Sequence, residues 1–388
     1  MNELRIFRNF VCVTIFSILS FKAYGASEPL SYGIHQHYTS TRAMGMGNAF
    51  TSVVDDYSTL FYNPAALAKR KEGNLHFNLA AAFDPGAIDF ANDIDTASKQ
   101  ANPEQAISDV IQKNYGKNYN IRPIALGGTW LRPNWGIAFL PADFSVDVSM
   151  HRQVGPALNV TAYFDTTFAY GYGKELKWGK WADWYGGITV KGVHRLYFNG
   201  VTSVAELSKD TQVFDQDNFD EGLTLDADIG FMIEPKMPKK GMFSWFQPTL
   251  SVVVRNLLDY GFAQNFHVIS ENSKEPPPMQ RRFDLGMSFD TPDIWVFDPK
   301  FAVEVRDIGH KNWSFMKGLH VGAELGWKMY SWWKGHWSVG LNQGYLTYGF
   351  GALFGWFQLD LAGWGEEVGT SDNPIESRRY QIEMSLDF

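Results

Sequence analysis

Cysteine is almost missing from this 388-residue chain, and the one copy, Cys12, lies in its first two dozen residues. Those residues read as an export signal. Arg5 and Arg8 give a positive start, Phe10 to Phe21 form an apolar run, and Ala23-Tyr24-Gly25 supplies the pattern a signal peptidase needs, with cleavage expected after Gly25 or Ala26. Cys12 has no lipobox around it, so no lipid anchor is expected. A mature chain without cysteine has neither disulfides nor thiolate metal sites. Long hydrophobic runs are missing too: the signal's own run is too short to span a bilayer, and no later run reaches about eighteen residues, which excludes helical membrane spans. Long amphipathic helices are nearly absent, unlike in soluble enzymes of this length. Positive charge is also short. The formal charge is -8, and loss of Arg5, Arg8 and Lys22 against Glu3 takes it to -10, which argues against nucleic acid as a partner.

What the chain has is aromatic residues (16%), 36 glycines and alternation of period two, at a mean hydropathy of -0.23. In residues 222–235, Leu223, Leu225, Ala227, Ile229, Phe231 and Ile233 share one face, and Thr224, Asp226, Asp228, Gly230, Met232 and Glu234 the other. Residues 319–329 and 379–388 repeat the pattern, with Glu324 and Glu383 on their polar faces. Further strands are expected near 73–83, 122–131, 134–141, 143–150, 158–173, 184–199, 248–256, 282–290, 300–308, 337–343, 345–354 and 356–363. These fifteen candidates imply an even number near fourteen, because single-chain bacterial outer-membrane barrels have even strand counts. Alternation also fits a soluble sandwich or barrel. Ionised residues in mid-strand and long apolar faces bounded by Trp or Tyr favour a barrel facing lipid outward. Two clusters, Trp178, Trp181, Trp184 with Tyr185 and Tyr330, Trp332, Trp333 with Trp337, suit a membrane interface, the alternative being exposed loops that bind sugar or protein.

Long polar connections are expected at 84–118, 201–222 and 264–282. Asp215, Asp217, Asp220 and Glu221 form a tight acidic group without the EF-hand's glycine and spacing, so a solvated loop is the better reading than calcium. No G-x-S-x-G or H-E-x-x-H motif is present, although His35, His37, His194 and His320 leave an outer-membrane enzyme as an alternative. No cofactor, metal or catalytic residue is expected. The chain ends on an alternating strand with Phe388, like the end signal read by the outer-membrane barrel-assembly machinery.

A barrel of about fourteen strands is too wide for its own side chains to fill. Residues 26–70 precede the first good strand and hold small residues and apolar anchors, so they are expected to stopper it. Gly45 and Gly47 permit tight turns, Phe50, Val53, Val54, Leu60 and Phe61 can bury, and Pro64 opens a short helix over Ala65 to Lys69 capped by Asn63. The stretch RAMGMGNAFTSVVDDYSTLFYNPAAL, residues 42–67, resembles the amino-terminal signature of the FadL-type family, outer-membrane transporters of long-chain fatty acids and other hydrophobic compounds. Gly45, Gly47, Ala49, Phe50, Asp55, Asp56, Asn63, Pro64 and Ala65 match its motif. The resemblance implies a fourteen-stranded transmembrane antiparallel β-barrel plugged by a hatch, hydrophobic small molecules or lipids as cargo, and lateral escape through a gap in the wall. It further implies a bacterial outer-membrane location among lipids and lipopolysaccharide.

The expected organisation is therefore a signal peptide (1–25), a hatch (26–70) and a barrel (71–388). Phe50, Leu60, Phe61, Tyr62, Asn63, Pro64 and Ala65 are the candidate plug or ligand-contact residues. Arg122, Arg195 and Arg255 are candidates for a carboxylate headgroup or for lumenal ion pairs. The carboxy-terminal stretch 339–369 also resembles the PorV-like and TraF-like barrels, so an assembly or secretion component stands as the alternative function.

Overall fold

The computed structural model describes residues 32–150, 156–204, 219–237, 247–263, 268–270 and 274–388. The expected signal peptide, residues 26–31 of the hatch, Asp215 and Asp217 lie outside the described residues. Fourteen strands form one closed antiparallel barrel, in which each strand pairs with its sequence neighbours and β1 closes on β14. They are β1 Asn74–Phe83, β2 Asn118–Arg132, β3 Trp135–Ser149, β4 Ala157–Leu176, β5 Ala182–Ser203, β6 Asp220–Pro235, β7 Gln247–Arg255, β8 Arg282–Asp290, β9 Phe297–Ile308, β10 Leu319–Tyr330, β11 Trp333–Asn342, β12 Tyr345–Phe354, β13 Phe357–Glu367 and β14 Glu376–Asp387. The count falls from fifteen to fourteen because 134–141 and 143–150 are one strand. Pro141 sits where the β3–β4 register shifts between Leu140 and Asp143, so the break in alternation is a bulge and not a turn.

The period-two faces point as their chemistry demands. In β6, Leu225 and Phe231 are exposed on the outside, while Asp226 and Asp228 are buried inside. In β14, Met384 and Leu386 face out, and Gln381, Glu383 and Ser385 face in. Closure removes every sheet edge, and the outward apolar band faces lipid, the requirement for a barrel that spans a bilayer. Trp327 also points outward but is buried, because Trp333 and Trp337 cover it at 5.7 and 6.0 Å and Gly335 leaves room beneath it.

The two rims differ. At one, the connections are short, as at 133–134, 331–332 and 355–356; at the other, 84–117, 256–281 and 309–318 are long. Trp130, Trp135, Trp178, Trp181, Trp184, Trp295, Trp332, Trp333 and Trp356 gather at the short-turn rim, and among the described residues only Trp313 and Trp364 lie toward the other.

Before β1 come α1 (Thr41–Gly45), α2 (Thr59–Tyr62) and a 3-10 helix over Pro64–Lys69. The loop 84–117 carries α3 (Pro85–Ser98), capped by Asp84, whose carboxylate accepts from Gly86 N at 2.8 Å, and α4 (Pro103–Lys113). A short α5 (Phe315–Gly318) precedes β10. Both α3 and α4 fold onto the outside of the wall. Phe90, Ile107 and Ile111 cluster with Tyr119, Val160, Ala162 and Phe198, whose strand neighbours Asn120, Asp165 and Arg195 turn inward and bond between adjacent strands on the lumenal face. Strands β4 and β5, at 20 and 22 residues, rise above the membrane band and need this covering.

Candidate functional site: the hatch and its lumen

Residues 32–70 lie within the barrel. Their backbone is satisfied partly within its own short helices and turns and partly by side chains of the wall. The Glu304 carboxylate accepts from Phe50 N and Thr51 N at 2.8 and 2.9 Å. Arg306 donates to Asn48 O at 2.8 Å, and Thr347 Oγ1 both accepts from Gly47 N (3.0 Å) and donates to Gly45 O (2.9 Å). Glycines in the wall let the hatch backbone approach closely: a Cβ on Gly187 would stand 2.3 Å from Pro64 O, and one on Gly322 would stand 2.2 Å from Met46 O. Gly47 has φ 66°, the left-handed turn expected from sequence. Gly45 instead ends α1, and its lack of a side chain admits Gly349 Cα, which a Cβ would meet at 2.7 Å.

The candidate residues come together as packing of hatch on wall. Phe50 sits edge-on to Tyr62 at 5.4 Å with the Arg42 guanidinium over its ring. Tyr62 donates to Asn48 Oδ1 at 2.8 Å and lies under Arg306. Leu60 and Phe61 pack with Leu131, Ala138 and Leu140, and Phe61 stacks on Tyr38 at 4.2 Å. Asn63 accepts from Ala65 N (3.1 Å) as the cap of the 3-10 helix and donates to Thr51 O (2.9 Å), which ties the two halves of the hatch together. Pro64 and Ala65 lie against Gly173 and Gly187.

The three candidate arginines make ion pairs with neighbouring strands on the lumenal face of the wall. Arg122 meets Asp143 and Thr39, Arg195 grips Asp165 with two bonds of 2.7 Å, and Arg255 joins Asp284 and Asp307, each at 2.7 Å. The histidines are dispersed. His35 stacks on Tyr163 at 3.8 Å, and burial followed by the Arg195 charge pushes its imidazole well below the ordinary value, so the ring stacks uncharged. His37 meets Asp165, His194 meets Glu221, and His320 meets Gly47 O. Glu221 is filled by three backbone N–H groups, Val268, Ile269 and Ser270, which pin the long loop rather than leaving a cation site. Among the described residues, no group of three metal-binding side chains occurs.

From the connection after β7, Phe262 and Met279 pack on the inward-facing Val193, and Arg195 reaches Pro277 O at 3.5 Å. The wall is least regular beside the hatch, where the register shifts at Ala80/Ala82, Ile121/Ile124, Leu126/Gly128 and Leu140/Asp143 all fall on β1–β4. There a void of about 20 Å3 is bordered by Tyr38 and Thr39 of the hatch, by Asn78, Ala125 and Ala142 and by the Arg122–Asp143 pair, with Leu126 at its edge. Tyr38, Thr39 and Glu304 escaped the sequence reading. Glu304 was legible only as one more polar position of an alternating strand.

No family model matches the chain, and no curated protein matches it. Several solved structures resemble it at low identity. A TodX deltaS2S3 mutant monoaromatic hydrocarbon channel is 9% identical at TM-score 0.48, covering 90% of this chain and 98% of its own. The CymD monoaromatic hydrocarbon channel is 11% identical at TM-score 0.45, covering 89% and 95%. A Pseudomonas aeruginosa FadL homologue is 10% identical at TM-score 0.40, covering 92% and 98%.

Proposed function

We propose that this barrel is an outer-membrane channel for uptake of hydrophobic compounds such as long-chain fatty acids, working by binding and hatch-gated diffusion without covalent chemistry. The observation that carries the proposal is the void between hatch and wall at β1–β3, which coincides with the register shifts of β1–β4 and has the outward-facing Leu126 at its edge. A hatch packed against the wall, with Phe262 and Met279 against Val193 above it, supports a route for cargo other than a straight aqueous pore. The register shifts on β1–β4 support a sideways exit, by which an apolar cargo passes into lipid without meeting water. Each buried methylene contributes roughly 0.8 kcal/mol, so a long acyl tail needs few polar partners. The short-turn rim lies on the periplasmic side, as barrels of this kind require.

The test is uptake of radiolabelled oleate and of toluene by cells that express the full chain and lack their own hydrophobic-compound channel. Uptake above the empty vector is expected, with Ala125→Phe, which fills the void, abolishing most of it. No uptake of either compound, together with a stoichiometric periplasmic protein on purification, would replace this reading with an assembly component.

A further inference from the structure

A sizeable cavity lies outside the barrel. Between α3 and the outer face of β2–β4 runs a groove of about 660 Å3, walled by Ile121, Val146, Val148 and Leu158 and roofed by Phe90 and Ile94. That volume falls within the roughly 300–1,000 Å3 of small-ligand sites. We propose that this groove holds one acyl chain of a phospholipid or glycolipid of the surrounding leaflet, drawn up against the wall beneath α3.

Continuity with the lipid-facing band identifies the occupant. Going down β2 and β3 from Ile121 and Val146, the next outward side chains include Leu126 and Phe139, exposed to hydrocarbon. A chain entering from the bilayer therefore crosses no polar step. Left to water, the groove would hydrate an apolar surface at a cost that an acyl chain removes. The helices cannot collapse into it, because Phe90 is stacked on Tyr119 at 5.4 Å and Ile107 and Ile111 are already fully buried in the same cluster. At the mouth, polarity returns: Ser98, Asp95 and Lys99 line it, the last two paired at 2.6 Å and well exposed. A zwitterionic headgroup placed there meets both charges of the Lys99–Asp95 pair while its chain stays dry. The site does not depend on whether the barrel transports anything.

The experiment uses the full chain in nanodiscs containing a trace of phospholipid with a diazirine at the tip of one acyl chain. After illumination, adducts are mapped by peptide mass spectrometry. Adducts on α3 and on the peptides of Ile121 and Val148 are expected several-fold above those at Leu225, an equally lipid-exposed side chain on β6. Ala91→Trp, which fills the groove, should remove them and leave the Leu225 adducts unchanged. Should that variant fail to show the heat-modifiable mobility of a folded barrel, Ile94→Trp takes its place, and dilution with unlabelled lipid provides a variant-free control. Groove adducts no more frequent than at Leu225, persistence in the filled-groove variants, or labelling only by free diazirine fatty acid would each overturn the proposal.

Discussion

The hatch meets two different walls. Along β4–β6 and β10–β12 its backbone lies directly on wall backbone, with Gly173, Gly187, Gly322 and Gly340 giving up their side chains to admit it, while Gly171 and Gly230 admit the side chains of Leu60 and Asn63. Along β1–β3 it meets side chains, rings and a cleft: Tyr57 stacks on His76 at 3.6 Å, Phe61 packs on Leu131 and Leu140, and Tyr38 and Thr39 border the void beside Arg122. Backbone on backbone admits no rotamer change, whereas side-chain contacts re-pack. If the proposed gating holds, the first wall is where the hatch is seated and the second is where it re-packs.

The comparison is broken most directly by filling the seated side. Gly187→Val pushes a side chain into the Pro64 carbonyl, where backbone cannot give way. It should cost about 1–3 kcal/mol and dislodge the hatch, read as a lower thermal midpoint and as ion conductance in planar bilayers where the native barrel is silent. An undisturbed midpoint would show that the seating is not there. Glu304→Ala comes next, since it strands the buried N–H groups of Phe50 and Thr51 at about 1–3 kcal/mol each. Glu304→Gln, which keeps an acceptor, should recover part of the loss in the same melting assay. Asn63→Ala should cost about 0.5–2 kcal/mol through the lost cap, and a melting curve identical to the parent's would refute the cap's importance.

The smallest effects are pH-linked and sharpen the comparison at the hatch's exposed end. Burial alone would raise the Asp55 carboxyl, but Arg42 at 2.6 Å and Lys300 at 3.1 Å reverse this and hold it well below the ordinary value. Its stabilisation is complete above the unfolded-state value near 4 and disappears as pH falls below it. Asp56, 3.1 Å from the same guanidinium, goes the other way: burial raises it, so its charge opposes the closed hatch near neutrality and protonation relieves that. Asp55→Asn should therefore loosen the hatch at pH 7 and flatten its acid response, while Asp56→Asn should leave it unchanged or tighter. Conductance titrated from pH 7 to about pH 3 separates the two, and equal effects from both variants would contradict the assignment.

Much of the barrel was legible because alternation is a local signal that survives in one sequence. Leu225 out and Asp226 in follow from adjacency alone. The merger of two expected strands at Pro141 was not, because a bulge and a turn interrupt alternation alike, and only the partner strand tells them apart. The hatch was legible as a segment through its small residues and its Asn63-Pro64 cap, but its anchors were not. Glu304 and Arg306 lie more than 250 positions from the backbone they bind, and nothing local marks them out. Nor could alternation show that α3 and α4 fold outward, since their apolar stripes would suit a plug equally well.

Tryptophan crowded at one rim has a mechanical corollary. Rings that prefer the headgroup boundary tie that rim to a fixed depth, while the opposite rim, with tall β4 and β5 and helices alongside, carries no matching ring of indoles. When the bilayer thickens or thins, the molecule rides like a buoy moored from below, and the adjustment falls on its upper half.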